Sequence, residues 1–116
     1  MQEQDYYGVR SHERKGVQGY HAVITDENLT YKADVRDVSL AGISLLNISK
    51  DFFVRRKIYD AEISAEHDKN SYIIKIWPIW KIEHNNDMFE IGFTISNFST
   101  EWKKFMGTIN TKKVPI

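Results

Sequence analysis

The chain contains no cysteine, and it lacks a long hydrophobic run. Without cysteine it can form no disulfide, no cysteine-based zinc site and no thiol nucleophile, a composition typical of cytoplasmic proteins. No segment approaches the roughly 20 apolar residues of a membrane span, and the polar residues 1–5 do not resemble a secretory signal. We therefore expect a cytoplasmic protein without a membrane-spanning segment.

A net charge is also missing, because 16 Lys and Arg residues balance 16 Asp and Glu residues. General DNA-binding proteins attract phosphate through a basic field over the whole molecule, and we expect no DNA partner here. Any anion-binding site must be local. The length of 116 residues corresponds to one domain.

Motifs of common enzymes and metal sites are absent from the sequence. There is no glycine-rich phosphate loop before a helix, no Gly-x-Ser-x-Gly elbow, and no paired metal-ligand spacing among the histidines. The histidines are His12, His21, His67 and His84. We expect no enzymatic activity, no metal and no cofactor.

Short apolar runs rich in Ile, Val and aromatic residues are separated by Asn, Asp, Gly and Ser, which is typical of β-strands. The runs 20–25 and 29–39 flank the turn formers Asp26-Glu27-Asn28 and predict a hairpin. Further strands are predicted over 43–46, 58–64, 72–83 and 88–95, with a polar turn at 66–68 and hairpin links at 68–70 and 85–87.

The run 72–83 contains Pro78, which cannot donate to a strand ladder, so Trp77-Pro78 predicts an edge, a bulge or a bend. Its aromatic and basic residues could form a surface for single-stranded nucleic acid. These residues are Tyr72, Lys75, Trp77, Trp80 and Lys81. The surrounding isoleucines favour packing in the core instead. These are Ile73, Ile74, Ile76, Ile79 and Ile82.

One helix is predicted near the end of the chain. After Ser99, a predicted N-cap, apolar residues recur at i, i+3, i+4 and i+7. They are Trp102, Phe105, Met106 and Ile109. We predict an all-β domain over 20–110, an antiparallel barrel or sandwich covered by this helix, with a flexible arm over 1–19 and a tail over 111–116.

Two arginines, Arg10 and Arg14, lie four residues apart in the glycine-containing arm. On an extended segment they would be roughly 13 Å apart on the same side, wide enough to hold a nucleotide from opposite edges. A guanidinium can bind phosphate with two hydrogen bonds, recognise the O6 and N7 edge of guanine, or stack on a base. Surface arginines near a terminus are also commonly just solvated.

A second candidate element begins where the alternation of the run 29–39 changes phase. A bulge or strand end near Arg36 and Asp37 would turn Asp37 and Ser39 to solvent. A carboxylate can accept from N1–H and the N2 amine of guanine together, Ser39 can donate or accept, and Gly42 permits a positive φ or a close ligand approach. Asp, Ser and Gly also commonly just stabilise turns.

Taken together, Arg10-x-x-x-Arg14 followed about one hairpin later by Asp37-x-Ser39-x-x-Gly42 resembles the PilZ domain. The segment 89–95 before Ser99 is similar to the final strand and helix entry of that family. The resemblance implies a six-stranded antiparallel barrel followed by a helix. It also implies a receptor for the bacterial second messenger cyclic di-GMP, with both arginines around phosphates and guanines.

In that resemblance, Asp37, Ser39 and Gly42 hold a guanine, and the arm becomes ordered on binding and signals to a downstream protein of motility, polysaccharide synthesis or pilus machinery. Val9 stands where many family members carry another arginine, which favours one bound nucleotide over a stacked pair. Lys15 and Arg36 could add positive charge. Two alternatives stay open: a PilZ-like interaction module without nucleotide binding, and a small barrel that binds single-stranded nucleic acid.

Overall fold

The computed structural model describes residues 14–97 and 99–112, and in these ranges it contains seven strands and one helix. The strands are β1 (Lys15–Gly16), β2 (His21–Asp26), β3 (Leu29–Val38), β4 (Gly42–Ser49), β5 (Tyr59–Ala65), β6 (Asp68–Glu83) and β7 (Met88–Asn97), and the helix is α1 (Thr100–Lys112). Two predicted site residues, Val9 and Arg10, lie outside the described residues, as does most of the predicted tail.

Six antiparallel strands close into a barrel. They pair in the order β3-β2-β5-β6-β7-β4, and β4 pairs back onto β3. The prediction of a six-stranded barrel is confirmed, and the sandwich alternative is wrong. The extra strand β1 continues the ladder of β2 along β3, where Lys15 pairs with Val38 and Gly16 pairs with Asp37. The segment predicted as an arm over 1–19 therefore joins the sheet at these two residues.

The core fills the barrel with alternating side chains. In β5, Tyr59, Ala61 and Ile63 point inward while their neighbours face solvent, which gives the period of two expected for a half-buried strand. The predicted helix is confirmed, since the Ser99 hydroxyl accepts a hydrogen bond from the Trp102 amide at 3.0 Å. Helix α1 buries the aromatic side chain of Trp102 completely against the barrel.

The same tryptophan fixes the connection between β3 and β4. Its indole Nε1 donates to the carbonyl of Leu40 at 3.2 Å, within the turn that joins these two strands. Helix α1 thus packs a large aromatic residue under the segment that carries Ser39 and Gly42. The position of this turn therefore depends on helix α1.

Two of the three predicted hairpin links are confirmed, and the third is wrong. The β2–β3 and β6–β7 hairpins turn through Glu27 and Asp87, both with positive φ. The link between β5 and β6 is made by the predicted polar turn at Glu66 and His67, whereas 68–70 already belong to β6. Asp68 is held in the strand because its carboxylate accepts from the hydroxyls of Tyr20 and Tyr72 at 2.8 and 3.0 Å.

The strand β6 corrects a second expectation. Ile74 and Ile76 are buried, but five side chains of this strand expected in the core lie on the surface. Their exposed fractions are 65% for Ile73, 37% for Trp77, 57% for Ile79, 38% for Trp80 and 48% for Ile82. Ile73 faces outward by the alternation of the strand, between the buried Tyr72 and Ile74. The other four residues follow Ile76, where the pairing with β5 ends and β6 pairs only with β7.

Of the edge, bulge or bend predicted at Trp77-Pro78, the structure contains a bulge directly after Pro78. The register between β6 and β7 shifts between Pro78 and Trp80, so an extra residue lies in β6 at this point.

Within the described ranges, no helix is long and apolar enough to cross a bilayer.

Candidate ligand-binding site

The predicted phase change in β3 is a β-bulge. The register with β4 shifts between Val35 and Asp37, so that Val35 and Val38 both point into the core while Arg36 and Asp37 both lie on the outside. Asp37 pairs with Ser44 of β4. The bulge therefore places two charged side chains side by side on the outer surface.

Arg14 reaches this position because β1 pairs next to it. Gly16 is the partner of Asp37, and the Val17 amide donates to the Arg36 carbonyl at 3.3 Å. Arg14 Nη1 donates to Asp37 Oδ1 at 2.5 Å and to Ser44 Oγ at 3.4 Å. Two motif residues that are far apart in the sequence thus form one ion pair, in which both side chains retain contact with solvent.

Ser39 is buried, contrary to the prediction that it faces solvent. It is buried with 4% of its surface exposed, because the turn folds back on itself. The Ser39 amide donates to the Gly42 carbonyl at 2.8 Å, and its hydroxyl donates to the same oxygen at 3.4 Å. In this conformation Ser39 stabilises the turn below the ion pair.

Gly42 does not adopt the positive φ that was one of its two predicted roles. A methyl group at this position would lie 3.3 Å from the Phe93 carbonyl, 3.4 Å from Arg14 Nη2 and 3.5 Å from Ser39 Oγ. A side chain here would crowd Arg14, so Gly42 allows the guanidinium to approach the sheet closely.

Arg36 is anchored by a buried acid. Its Nη1 donates to Glu90 Oε2, and His84 Nε2 lies 3.0 Å from Glu90 Oε1. Burial by itself would raise the pKa of the Glu90 carboxyl, but the hydrogen bonds from His84 and Arg36, together with the Arg36 charge, lower the pKa below its ordinary value. Glu90 therefore holds Arg36 beside Asp37 as a fixed cation, with the Arg36 Nε 4.0 Å from Asp37 Oδ2.

The outer surface around Asp37 extends across four paired strands. Asp37 pairs with Ser44, Ser44 pairs with Gly92, and Gly92 pairs with Trp80. Their neighbours along β4 and β7 are buried core residues, so these four positions share the outer face of the sheet. We call this surface the β4–β7 face, and it comprises Arg14, Arg36, Asp37, Ser44, Trp80, His84, Glu90 and Gly92.

Lys15 lines a different concavity. A cleft of about 430 Å³ lies between β1 and α1, and Lys15, Val17, His67 and Phe105 are among its lining residues. Of the predicted ligand contacts that lie within the described residues, Arg14 touches both this cleft and the β4–β7 face. Among the described residues, no group of three or more acidic or histidine side chains could hold a metal ion.

Several residues of the β4–β7 face were not predicted from the sequence. Glu90 carried a signal, as a single charge inside an otherwise apolar strand, and a glycine such as Gly92 in a strand interior often marks a close approach. For Trp80, the sequence predicts a position in the core. Ser44 gave no signal, because one hydroxyl in a strand is ordinary.

No protein-family model matches the chain, and no curated protein matches it either. Solved structures do match. The Bacillus subtilis inhibitor of motility MotI/DgrA is similar with a TM-score of 0.71 and 8% identity, covering 97% of this chain and 52% of that one. This chain thus spans about half the length of that protein.

The PilZ domain of YcgR from Escherichia coli, solved with cyclic di-GMP, is similar with a TM-score of 0.64 and 13% identity. The match covers 87% of this chain and 91% of that domain. At such identities the likeness concerns the fold. The closed six-stranded barrel, its extra strand and its C-terminal helix are those of a PilZ domain, and this chain has the PilZ fold.

Proposed function

We propose that the chain binds cyclic di-GMP on the β4–β7 face. The observation that carries the proposal is the contact between Arg14 and Asp37, because it joins the described parts of the two sequence motifs on one outer surface. Arg10, the other arginine of the first motif, is included from the sequence. The solved YcgR domain of the same fold, which contains cyclic di-GMP, supports this choice of ligand.

Ligand binding would replace the ion pair between Arg14 and Asp37 by contacts of both side chains with the ligand. The Arg14–Asp37 pair is partly exposed, with side-chain exposures of 37% and 22%, and such pairs contribute only about 0–1 kcal/mol. Breaking it therefore costs little. Arg14 would turn to a ligand phosphate, and the Asp37 carboxylate would accept from N1–H and the N2 amine of guanine.

Arg36 and Ser39 have supporting parts in this proposal. Arg36 stays beside Asp37 through its bond to Glu90 and supplies positive charge to the ligand after Arg14 has moved. Ser39 keeps the turn in place from below. Val9 and Lys15 stay proposals, since Val9 lies outside the described residues and Lys15 lines the cleft beside α1.

We further propose that ligand binding orders residues 8–19 and changes the surface offered to a protein partner. The named activity of MotI/DgrA as an inhibitor of motility makes a motility protein one candidate for that partner. Hydrogen exchange tests the step: amides of residues 8–19 should exchange more slowly with cyclic di-GMP bound. Equal exchange rates in both states would contradict it.

Titration calorimetry tests the proposed ligand. The chain should bind cyclic di-GMP with micromolar or better affinity and bind cyclic di-AMP and GTP much more weakly. Cyclic di-AMP lacks the guanine edge, and GTP carries one guanine on a linear triphosphate instead of two guanines on a ring with two phosphates. Absence of heat with cyclic di-GMP, under conditions in which the chain is folded by circular dichroism, would overturn the proposal.

A second candidate function is single-stranded nucleic-acid binding. The exposure of Trp77 and Trp80, with Lys75 exposed on the same strand, is the observation that favours it, since stacked bases need exposed aromatic rings. A fluorescently labelled single strand of about ten nucleotides would test it. Affinity for this strand above that for cyclic di-GMP would favour the second function.

A further inference from the structure

The second half of β6, residues 77–83, has an edge that no strand covers in the described ranges. Pairing of β6 with β5 ends at Ile76, whereas pairing with β7 continues to Glu83. Among the described residues, β7 is therefore the single strand neighbour of this segment. A strand with one neighbour presents a row of backbone N–H and C=O groups on its other side, and this row can pair with a further strand.

Exposed apolar side chains are concentrated on the same segment. Four of the eight large apolar side chains that are exposed in the described ranges belong to it. They are Trp77, Ile79, Trp80 and Ile82. Proteins usually protect such an edge from pairing with charged side chains, with proline or with a bulge. Pro78 and the bulge that follows it protect only the beginning of the segment, so the edge from Trp80 onwards stays open.

The two charged residues of this open edge have opposite signs. Lys81 and Glu83 lie two positions apart and therefore point to one side of the strand, while Ile82 points to the other. If two copies of the segment pair antiparallel around Ile82, Lys81 of each copy lies opposite Glu83 of the other, and the two Ile82 side chains meet. Opposite charges directly across a strand pair stabilise the pairing. The edge is thus complementary to itself.

The same residues disfavour the neighbouring registers. A two-fold axis at Lys81 or at Glu83 would bring like charges directly opposite each other, which destabilises a strand pair. An axis at Trp80 would place Pro78 inside the ladder, where it cannot donate a hydrogen bond. An axis at Ile82 avoids both, because Pro78 then lies beyond the ladder, opposite the turn between β6 and β7.

We infer that this edge is an interface for a second copy of the chain, in which the two β6 strands pair antiparallel around Ile82. Two copies related by a two-fold axis form a closed dimer, since each copy makes the same contacts as the other. In the single chain, Lys81 Nζ lies 4.3 Å from the centroid of the Phe89 ring. Glu83 Oε1 lies 4.0 Å from Lys50 Nζ. Both side chains are exposed, so both can turn to the second copy.

The interface is small. A ladder of about five residues from each copy buries less than the roughly 1,200 Å² of a stable complex, so the dimer is expected to be weak and reversible. It does not depend on the proposed function, because no residue of the two sequence motifs takes part in the pairing. The dimer can therefore be measured without cyclic di-GMP.

A different interpretation is that Lys81 and Glu83 protect the edge, as charges on edge strands commonly do. The two interpretations differ in what they predict. Protection predicts a monomer at every concentration and no recovery of any property when the two charges are exchanged. A dimer predicts association that depends on the product of the two charges and not on either charge alone.

Sedimentation equilibrium of the unaltered chain and of charge variants separates these interpretations. We expect a dimer with a dissociation constant on the order of 100 µM. Glu83→Lys should weaken it about tenfold, since lysines then face each other twice across the axis. The double variant Lys81→Glu/Glu83→Lys should restore the dimer, because the same two pairs return in reverse. Asp60→Lys makes the same charge change at an exposed acid of β5 and should associate like the unaltered chain.

A crosslink tests the register directly. The chain contains no cysteine, so Ile82→Cys introduces a single thiol. Directly opposite residues of antiparallel strands have Cα atoms about 4.5–5.5 Å apart, which is within the range of a disulfide. Mild oxidation should therefore give a covalent dimer on non-reducing electrophoresis. Ile73→Cys is the matched control, because Ile73 is an exposed isoleucine in the part of β6 that pairs on both sides, and it should stay monomeric.

Each outcome decides the inference. A monomer up to about 1 mM, with the chain folded by circular dichroism, would overturn it and leave a different protein as the occupant of the edge. Unchanged association in Glu83→Lys, a double variant that fails to recover, or equal crosslinking of the two cysteine variants would also overturn it. None of these results bears on the binding of cyclic di-GMP, and a chain that dimerises without binding the nucleotide would overturn the proposed function alone.

Discussion

Two faces of the barrel carry charged side chains, and they differ in what lies beneath the charges. The face centred on β2 and β5, which we call the β2–β5 face, comprises the outer residues His21, Asp34, Asp60, Glu62 and Lys75. Its pairs, His21–Asp34 and Lys75–Asp60, have exposed partners on both sides. On the β4–β7 face, Arg36 pairs with Glu90, whose side chain is 4% exposed.

The difference shows how the proposed binding surface is distinguished from an ordinary charged one. Exposed pairs such as Lys75–Asp60 are solvated on all sides and contribute little. A buried carboxylate must keep its partners, because an unpaired buried charge is costly, and so Glu90 fixes where Arg36 lies. The β4–β7 face also has a bulge, a glycine and an exposed tryptophan, none of which a merely solvated surface requires.

The largest effect that would sharpen this comparison concerns Arg14. Arg14→Ala should weaken binding of cyclic di-GMP on the order of 100-fold, since it removes charge-assisted hydrogen bonds that contribute about 1.5–3 kcal/mol each. Lys75→Ala removes one exposed cation from the β2–β5 face and is the matched control. Calorimetry should find its affinity unchanged, and an equal loss in both variants would mean that only total charge matters.

Asp37 should control the choice of base more than the affinity. In Asp37→Ala, binding of cyclic di-GMP should fall about tenfold or more, while weak binding of cyclic di-AMP should change little, so the preference for guanine declines. Competition between the two dinucleotides for a fluorescent analogue measures this ratio. Undiminished guanine preference in the variant would assign base recognition to another residue.

The contribution of Glu90 to the free energy of unfolding tests the comparison between the two faces. Glu90→Gln retains the shape but weakens the bonds to Arg36 and His84, and we expect a loss of about 1–2 kcal/mol in the free energy of unfolding. Asp60→Asn on the β2–β5 face should change it by less than about 0.5 kcal/mol. Urea denaturation measures both values, and equal losses would show that burial of the acid makes no difference.

The dependence of stability on pH in the acidic range gives the smallest expected effect. The pKa of Glu90 lies below its ordinary value of 4.5 in the folded chain, so its contribution to stability is complete above that value and is lost as pH falls through the folded pKa. Urea midpoints should therefore fall as the solution is acidified below about 4.5, less steeply in Glu90→Gln. Parallel pH profiles for the two chains would contradict the assignment.

Much of the fold could be predicted because its signals are local. The alternation in β3, the turn formers at Glu27 and Asp87, and the spacing of apolar residues in α1 each follow from nearby residues. The phase change near Asp37 also predicted the bulge. The start of β6 at Asp68 could not be predicted this way, because Tyr20, which precedes β2, helps to hold Asp68 in the strand.

The candidate site was predictable only in part. The order of its two motifs pointed to Arg14 and Asp37, but the burial of Ser39 depends on how its own turn folds back. The outer position of Trp80 depends on where pairing with β5 ends, and the contact with Gly92 on a bulge in β6. Such facts belong to the register between strands, which an isolated apolar run does not reveal.

Amide chemical shifts measured during titration with cyclic di-GMP test the central claim most directly. The account predicts that amides of residues 36–44 and 90–92 shift with ligand, while those of residues 21–24 and 60–63 on the β2–β5 face do not. Shifts confined to the β2–β5 face, or no shifts at saturating ligand, would contradict it.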